Sequence, residues 1–264
     1  MAKLRSPFIV QFFGYCISPH KCLVMEYMPK GSLYAVLHSN QVLNWTIRIK
    51  VAFEISAGLS FLHQEKILHR DIKSLNVLLN QEWGAKLSDF GLSKVKNESQ
   101  STSTVKSSVG TVAWMAPELS FTDDGCTPAS DIYSLGVTLW ELAAREIPFK
   151  KVAKPALIPM RAQAGYRDDI PSDCPAKLNS LIQACWATEP SQRPDAEQVA
   201  TFMKSEQTDF NTFKKSFLPS YSSYQNNVNS NSNNNSGYQN NINSSESGYQ
   251  NNVNSPPSQN LGFK

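Results

Sequence analysis

The chain has 264 residues, 41% hydrophobic and 18% charged, with a net charge of +3. This predicts a globular core in one large domain or two small ones. The small charge argues against nucleic acid or an anionic membrane surface as the main partner. No apolar run reaches the ~18 residues that a membrane helix needs, and Met1 to Pro7 lack a signal-peptide core. The five cysteines (Cys16, Cys22, Cys126, Cys174, Cys185) form no C-x-x-C pair. They read as buried free thiols in a reducing, cytoplasmic setting, not as a disulfide framework or a zinc site.

In chain order, residues 1–28 read as a helix end followed by two strands. The runs from Phe8 to Gly14 and from Lys21 to Tyr27 are aromatic and β-branched, with Ser18, Pro19 and His20 as the turn between them. Two strands alone are marginal in water, so these need further partners. Pro29, Lys30 and Gly31 break the pattern, and Ser32 is placed to cap a short helix from Leu33 to His38. From Trp45 to His63, Ile47, Val51, Ile55, Leu59 and Leu62 recur every three or four positions, which predicts a helix with one buried stripe.

That helix leads into His69, Arg70, Asp71, Ile72, Lys73, Ser74, Leu75 and Asn76. A carboxylate, an ammonium and a carboxamide thus stand close together in a short loop. A hairpin from Val77 to Leu79 and Ala85 to Leu87 should follow and deliver a second carboxylate, Asp89, with Phe90 and Gly91. This is equipment for a phosphate and a divalent cation: a base, a point charge and hard oxygen ligands. Residues 92–108 are crowded with serine and threonine and cannot bury enough surface to hold one shape alone.

Order should return at Gly110 to Glu118. The stretch from Asp131 to Ala144 is apolar nearly all round, which predicts a buried central helix. Asp131 at its start could both cap it and brace a neighbouring loop. Helices from Ala176 to Trp186 and from Asp195 to Lys204 close the globular part. Beyond Tyr221 the chain is rich in asparagine and serine. Near-copies of Tyr-Gln-Asn-Asn-x-Asn-Ser begin at Tyr224, Tyr238 and Tyr249, with no hydrophobic face to stack, which predicts disorder.

Taken together, the 69–76 loop, Asp89-Phe90-Gly91, Ala116-Pro117-Glu118, the helix from Asp131 and Arg193 resemble the large lobe of a eukaryotic-type protein kinase. The wording of residues 110–118, 131–136 and 185–194 is similar to the tyrosine-kinase-like group of serine/threonine kinases. The resemblance spans roughly residues 1–204. It implies an α+β, protein-kinase-like fold: a mostly helical C-lobe, a two-strand remnant of the N-lobe sheet, and a disordered tail. The segments would be 1–28 (N-lobe remnant and hinge), 29–204 (C-lobe) and 205–264 (tail).

The resemblance also implies the cofactors ATP and Mg2+, and protein serine or threonine hydroxyls as substrate. Asp71 would take the substrate proton and Lys73 would neutralise the transferring phosphoryl group. Asn76 and Asp89 would hold magnesium. Glu26, Met28 and Leu78 would bind the nucleotide base, with Met25 as gatekeeper on what could otherwise be a plain core strand. Thr111 would face the catalytic loop. Arg70 would hold a phosphate placed on the serine-rich loop. Glu118 and Arg193 would pair, and His69, Phe90, Phe12 and Met1 would stack between the lobes.

The family's small lobe carries a glycine-rich loop, a strand lysine and a helix glutamate. No G-x-G-x-x-G occurs in this chain. The expectation is therefore a nucleotide site with a floor and no roof, the rest being encoded upstream of Met1. The alternative is a non-catalytic kinase-like scaffold. Oligomeric state, substrate identity and upstream signal are left open by the sequence.

Overall fold

The computed structural model describes residues 4–18, 20–90, 111–121 and 125–217, with side chains to residue 208. The serine-rich segment 92–108, Met1, and the repeats beyond Tyr221 lie outside the described residues. The elements below fall in the unit Met1–Ser216, at whose boundary the last helix ends.

Strands Phe12–Cys16 (β1) and Cys22–Met25 (β2) pair antiparallel, with Gly14 opposite Val24, Tyr15 opposite Leu23 and Cys16 opposite Cys22. The first strand starts later than the sequence predicts. Phe8 to Val10 are spent elsewhere: Leu87 N–H donates to the Phe8 carbonyl and Val10 N–H to the Leu87 carbonyl, both at 2.9 Å. Gly14 does not break β1. It lies at a bulge between Phe12 and Gly14, where a missing side chain is tolerated. The core-strand reading of β2 fails, because all four of its residues are exposed. Phe13, Tyr15 and Tyr27 are exposed beside them.

A second sheet has the order β3-β4-β5, with Gly31–Ser32 as β3, Val77–Leu79 as β4 and Ala85–Leu87 as β5. The hairpin of β4 and β5 is as predicted; β3 is too short to carry a sequence signal. Ser32 accepts the Ala35 N–H and caps helix Leu33–Leu37 (α1). Asn44 accepts the Ile47 N–H and caps Trp45–Gln64 (α2), whose Val51, Ile55, Leu59 and Leu62 are buried as the spacing requires. Glu54 ties α2 to β5 by accepting the Ala85 N–H at 2.7 Å.

The central helix, α3, runs Pro128–Ala144, three residues ahead of the expected start. Thr127 is the cap. Its hydroxyl accepts the Ser130 N–H while the Ser130 hydroxyl accepts the Thr127 N–H. Asp131 is thereby relieved of capping and is free to brace the loop. Ile132, Tyr133, Leu135, Leu139 and Leu142 are all at most 1% exposed, which confirms the buried post.

Helix Ile158–Gln163 (α4) carries no marked signal and was not foreseen. Helix Ala176–Cys185 (α5) crosses α3 at Gly136, where a Cβ would stand 2.8 Å from the Cys185 Cβ and 2.9 Å from the Trp186 nitrogen. Only glycine permits that approach. The last helix, Ala196–Phe217 (α6), overruns the expected boundary at residue 204. Helical backbone continues for thirteen residues past that boundary, to Phe217.

The thiol expectation holds for Cys174 and Cys185, which are buried, but not for the others. Cys22 is exposed, and Cys16 and Cys126 are partly so. Among the described residues no helix is long and apolar enough to cross a membrane.

Candidate functional site

The loop between α2 and β4 is held from below by one carboxylate. Asp131, 2% exposed, accepts the His69 N–H at 2.9 Å, the Arg70 N–H at 2.8 Å and the His63 Nε2 at 2.9 Å. Arg70 has φ 68°, a left-handed conformation unfavourable for a side-chain-bearing residue. The two bonds flanking it keep the backbone there. The result is to turn the next residue, Asp71, outward, with 30% of its side chain exposed.

Lys73 Nζ donates to both carboxylate oxygens of Asp71, at 3.0 and 2.8 Å, and to the Thr111 hydroxyl at 3.1 Å. Asn76 Nδ2 donates to the Asp71 carbonyl at 2.7 Å and to its Oδ2 at 3.0 Å. Asn76 also receives, on its own carbonyl, the N–H and hydroxyl of Ser88 at 2.9 and 3.1 Å. This fastens the end of β5 to the loop, so Asp89 follows directly beside it, again with positive φ (60°). The loop and Asp89 therefore meet in one place.

His69 is fully enclosed and stacks edge-on to Phe90, centroids 6.5 Å apart. Phe12 is not in that stack among the described contacts. Burial pushes the His69 pKa down from its ordinary 6.5, and the charges of Asp131, Asp71 and Asp89 resist this in part. A depressed pKa keeps the ring neutral in the fold while the unfolded chain protonates near 6.5. Its stabilisation is present above pH 6.5 and lost as pH falls toward the depressed value. Acid should therefore lower stability from about pH 6.5 downward, and His69→Phe should flatten that slope in unfolding midpoints measured from pH 7 to 5. An unchanged slope would refute the assignment.

The predicted base-binding residues adjoin this loop through β4. Glu26 binds Lys86 of β5 at 2.6 and 2.8 Å, and its N–H donates to the Gln11 carbonyl at 2.8 Å. Its side chain is therefore occupied. Met28 is buried and accepts the Gly31 N–H at 3.0 Å. Leu78 is half-exposed between the fully buried Val77 and Leu79, on the face of β4 turned away from the core. Met25 is 38% exposed.

Among the described residues no cluster of three or more His, Cys, Asp or Glu could hold a metal alone. One carboxylate (Asp89) and one amide oxygen (Asn76) nevertheless fit magnesium. That ion keeps several waters and is completed by phosphate oxygens rather than by a protein cage.

Two polar centres anchor the surroundings. Glu118 and Arg193 form a two-pronged pair at 2.7 and 2.9 Å. Sequence reasoning missed the other, Glu141 of α3, which is 0% exposed. It accepts from the Ser74 hydroxyl at 2.8 Å and Trp114 Nε1 at 3.1 Å, and His38 Nε2 lies at 3.0 Å. Burial raises its pKa, and the bonds from Ser74, His38 and Trp114 oppose the rise. The available signal was a lone acid inside a helix apolar all round.

A family model described as "Protein tyrosine and serine/threonine kinase" matches residues 1–203. Among similar proteins, a "Probable serine/threonine-protein kinase" of Dictyostelium discoideum is 39% identical over 77% of this chain and 22% of its own length. The "Probable serine/threonine-protein kinase drkD" of the same organism is 36% identical over 81% of this chain and 16% of its own length. The "Mitogen-activated protein kinase kinase kinase zak-1" of Caenorhabditis elegans is 36% identical over 75% of this chain and 28% of its own length. The chain thus spans under a third of each of these three relatives. Loop, helices and family model agree, and the chain belongs to the eukaryotic-type protein kinases, in the family of protein tyrosine and serine/threonine kinases.

Proposed function

We propose that this chain carries the phosphoryl-transfer site of a cytoplasmic serine/threonine protein kinase, acting on protein hydroxyls with ATP. The observation that supports it most is the Lys73 ammonium, held between the Asp71 carboxylate and the Thr111 hydroxyl. Asp71 is the group that takes the proton as a substrate oxygen bonds to the terminal phosphorus and the bridging oxygen leaves. Lys73 balances charge on the phosphoryl group and keeps Asp71 oriented. Asn76 and Asp89 are the magnesium ligands; the ion, when bound, neutralises phosphate oxygens. The Glu26 carbonyl, Met28 backbone and Leu78 side chain form the base-binding edge. Arg70 Nε is buried with no hydrogen-bond partner among the described residues, which suits a residue that receives a phosphate from the serine-rich loop.

The test is radiolabelled phosphate transfer from ATP to a serine-containing protein. Asp71→Asn should reduce it by about 10²–10⁴-fold while the protein still unfolds in a single cooperative transition. Measurable transfer by the unaltered protein that Asp71→Asn leaves undiminished would remove Asp71 from the chemistry. A second reading, a kinase-like interaction module, draws on the exposed Phe13, Tyr15, Leu23 and Val24. It predicts no magnesium-dependent ATP binding by calorimetry, where the enzymatic reading predicts binding weakened by Asp89→Asn.

A further inference from the structure

β1 and β2 bring two thiols into direct register. Cys16 and Cys22 are opposite each other at the turn end of the hairpin, separated in sequence by Ile17 to Lys21. Directly opposed residues of an antiparallel pair have Cα atoms about 4.5 or 5.5 Å apart and side chains on the same face. A disulfide requires about 4.4–6.8 Å, so both alternatives lie inside its range. Cβ atoms at such positions stand about 4.5–5.5 Å apart, slightly wider than the roughly 3.5–4.5 Å of a relaxed bridge. Closure therefore draws the strands together, and a bridge formed this way is a reducible one.

The other cysteines are unsuited to this chemistry. Burial pushes the Cys174 thiol up to about 11 and the Cys185 thiol up to about 12, and raises that of Cys126. No other cysteine is paired with them across a strand. Cys22 is exposed and Cys16 half-buried, with its S–H donating to the Ser18 carbonyl at 2.9 Å.

We propose that Cys16 and Cys22 are a redox-responsive cross-strand dithiol, converted to an intramolecular disulfide by hydroperoxides. The exposed Cys22 meets the oxidant first. Its thiolate attacks one oxygen of hydrogen peroxide, the O–O bond breaks, and Cys22 becomes a sulfenic acid with hydroxide leaving. Cys16 then gives up its proton and its bond to Ser18, and its sulfur attacks the Cys22 sulfur. The S–O bond breaks and water departs. In total two thiols lose two protons and two electrons, and one peroxide becomes two waters. In a reducing compartment such a bond is transient, as redox-sensing disulfides are. It locks the register from Cys16 to Gly14, in the hairpin that leads directly into Glu26 and Met28.

Trypsin provides a direct test, since it cleaves after Arg5, Lys21 and Lys30 and so puts the two thiols on different peptides, 6–21 and 22–30. The full chain is treated with hydrogen peroxide, remaining thiols are alkylated in denaturant, and the digest is weighed without reduction. The expected result is one joined species in place of both alkylated peptides, separated by a reductant and abolished by Cys22→Ser. Phenylarsine oxide, whose trivalent arsenic bridges two thiols, should protect both peptides from alkylation together in the native protein and neither in Cys22→Ser. Recovery of both thiols alkylated, their separate oxidation to sulfinic acids, or a link to Cys126 or to a second molecule would overturn the proposal.

Discussion

Replacing Glu118 with alanine should lower the folding free energy by about 3–5 kcal/mol, the cost of stranding one member of a buried ion pair. The argument rests on Arg193, whose side chain is 0% exposed while that of Glu118 is 19% exposed. Every guanidinium donor has a destination. Nε goes to the Ala187 carbonyl at 2.8 Å, the two terminal nitrogens to Glu118, and each of those also to a carbonyl, Ala129 at 3.0 Å or Thr188 at 3.0 Å. The Tyr133 ring lies 5.0 Å below the cation. Removing the carboxylate leaves this buried charge without its counter-ion. Arg193→Lys should also be poorly tolerated, because a point ammonium cannot reproduce the fork. Denaturant titration of the variants checks this, and a loss below about 1 kcal/mol, the range of exposed pairs, would show the pair to be unimportant.

Asp131→Ala should have a comparable effect and a more local signature. Two of its bonds come from buried or half-buried backbone N–H groups, and bonds to a charged acceptor are worth about 1.5–3 kcal/mol each. A loss of about 3–5 kcal/mol follows. With the brace gone, the left-handed backbone at Arg70 has nothing to hold it and relaxes, since such conformations persist only where surroundings enforce them. Hydrogen exchange at His69 and Arg70 should then accelerate far more than at Leu139 in the centre of α3. Uniform acceleration across both regions would mean that Asp131 supports the fold at large and not this loop. Asp131→Asn should fall between, because one acceptor oxygen cannot serve three donors.

How much of this was legible in the residues follows from the range of each interaction. The α2 stripe, the Ser32 cap and the hairpin around Asn80 to Gly84 are set by neighbours a few positions apart, and the sequence showed them. The ordering of Asp71, Lys73, Asn76 and Asp89 was equally visible, because the loop and the hairpin that unite them are short. The start of α3 was misplaced because Thr127 and Ser130 outcompete Asp131 for the cap. The start of β1 was misplaced because Phe8 to Val10 are claimed by Leu87, far along the chain. The end of α6 was misplaced because helical backbone there persists into a region whose composition had suggested a tail. β3 and α4 are too short to impose a period. Glu141 was hidden for a related reason: its partners sit 103, 67 and 27 positions away.

That spread has a bearing on how the molecule is assembled. A carboxyl group shut inside an oily rod is intolerable until donors arrive from the α1 end, the catalytic loop and the turn holding Trp114. No excised piece lacking any one of these can offer the same enclosure. Completion of the rod's interior and the setting of the loop that bears Ser74 should therefore be a single cooperative event, late in folding, because contacts so distant along the chain are the last to become favourable.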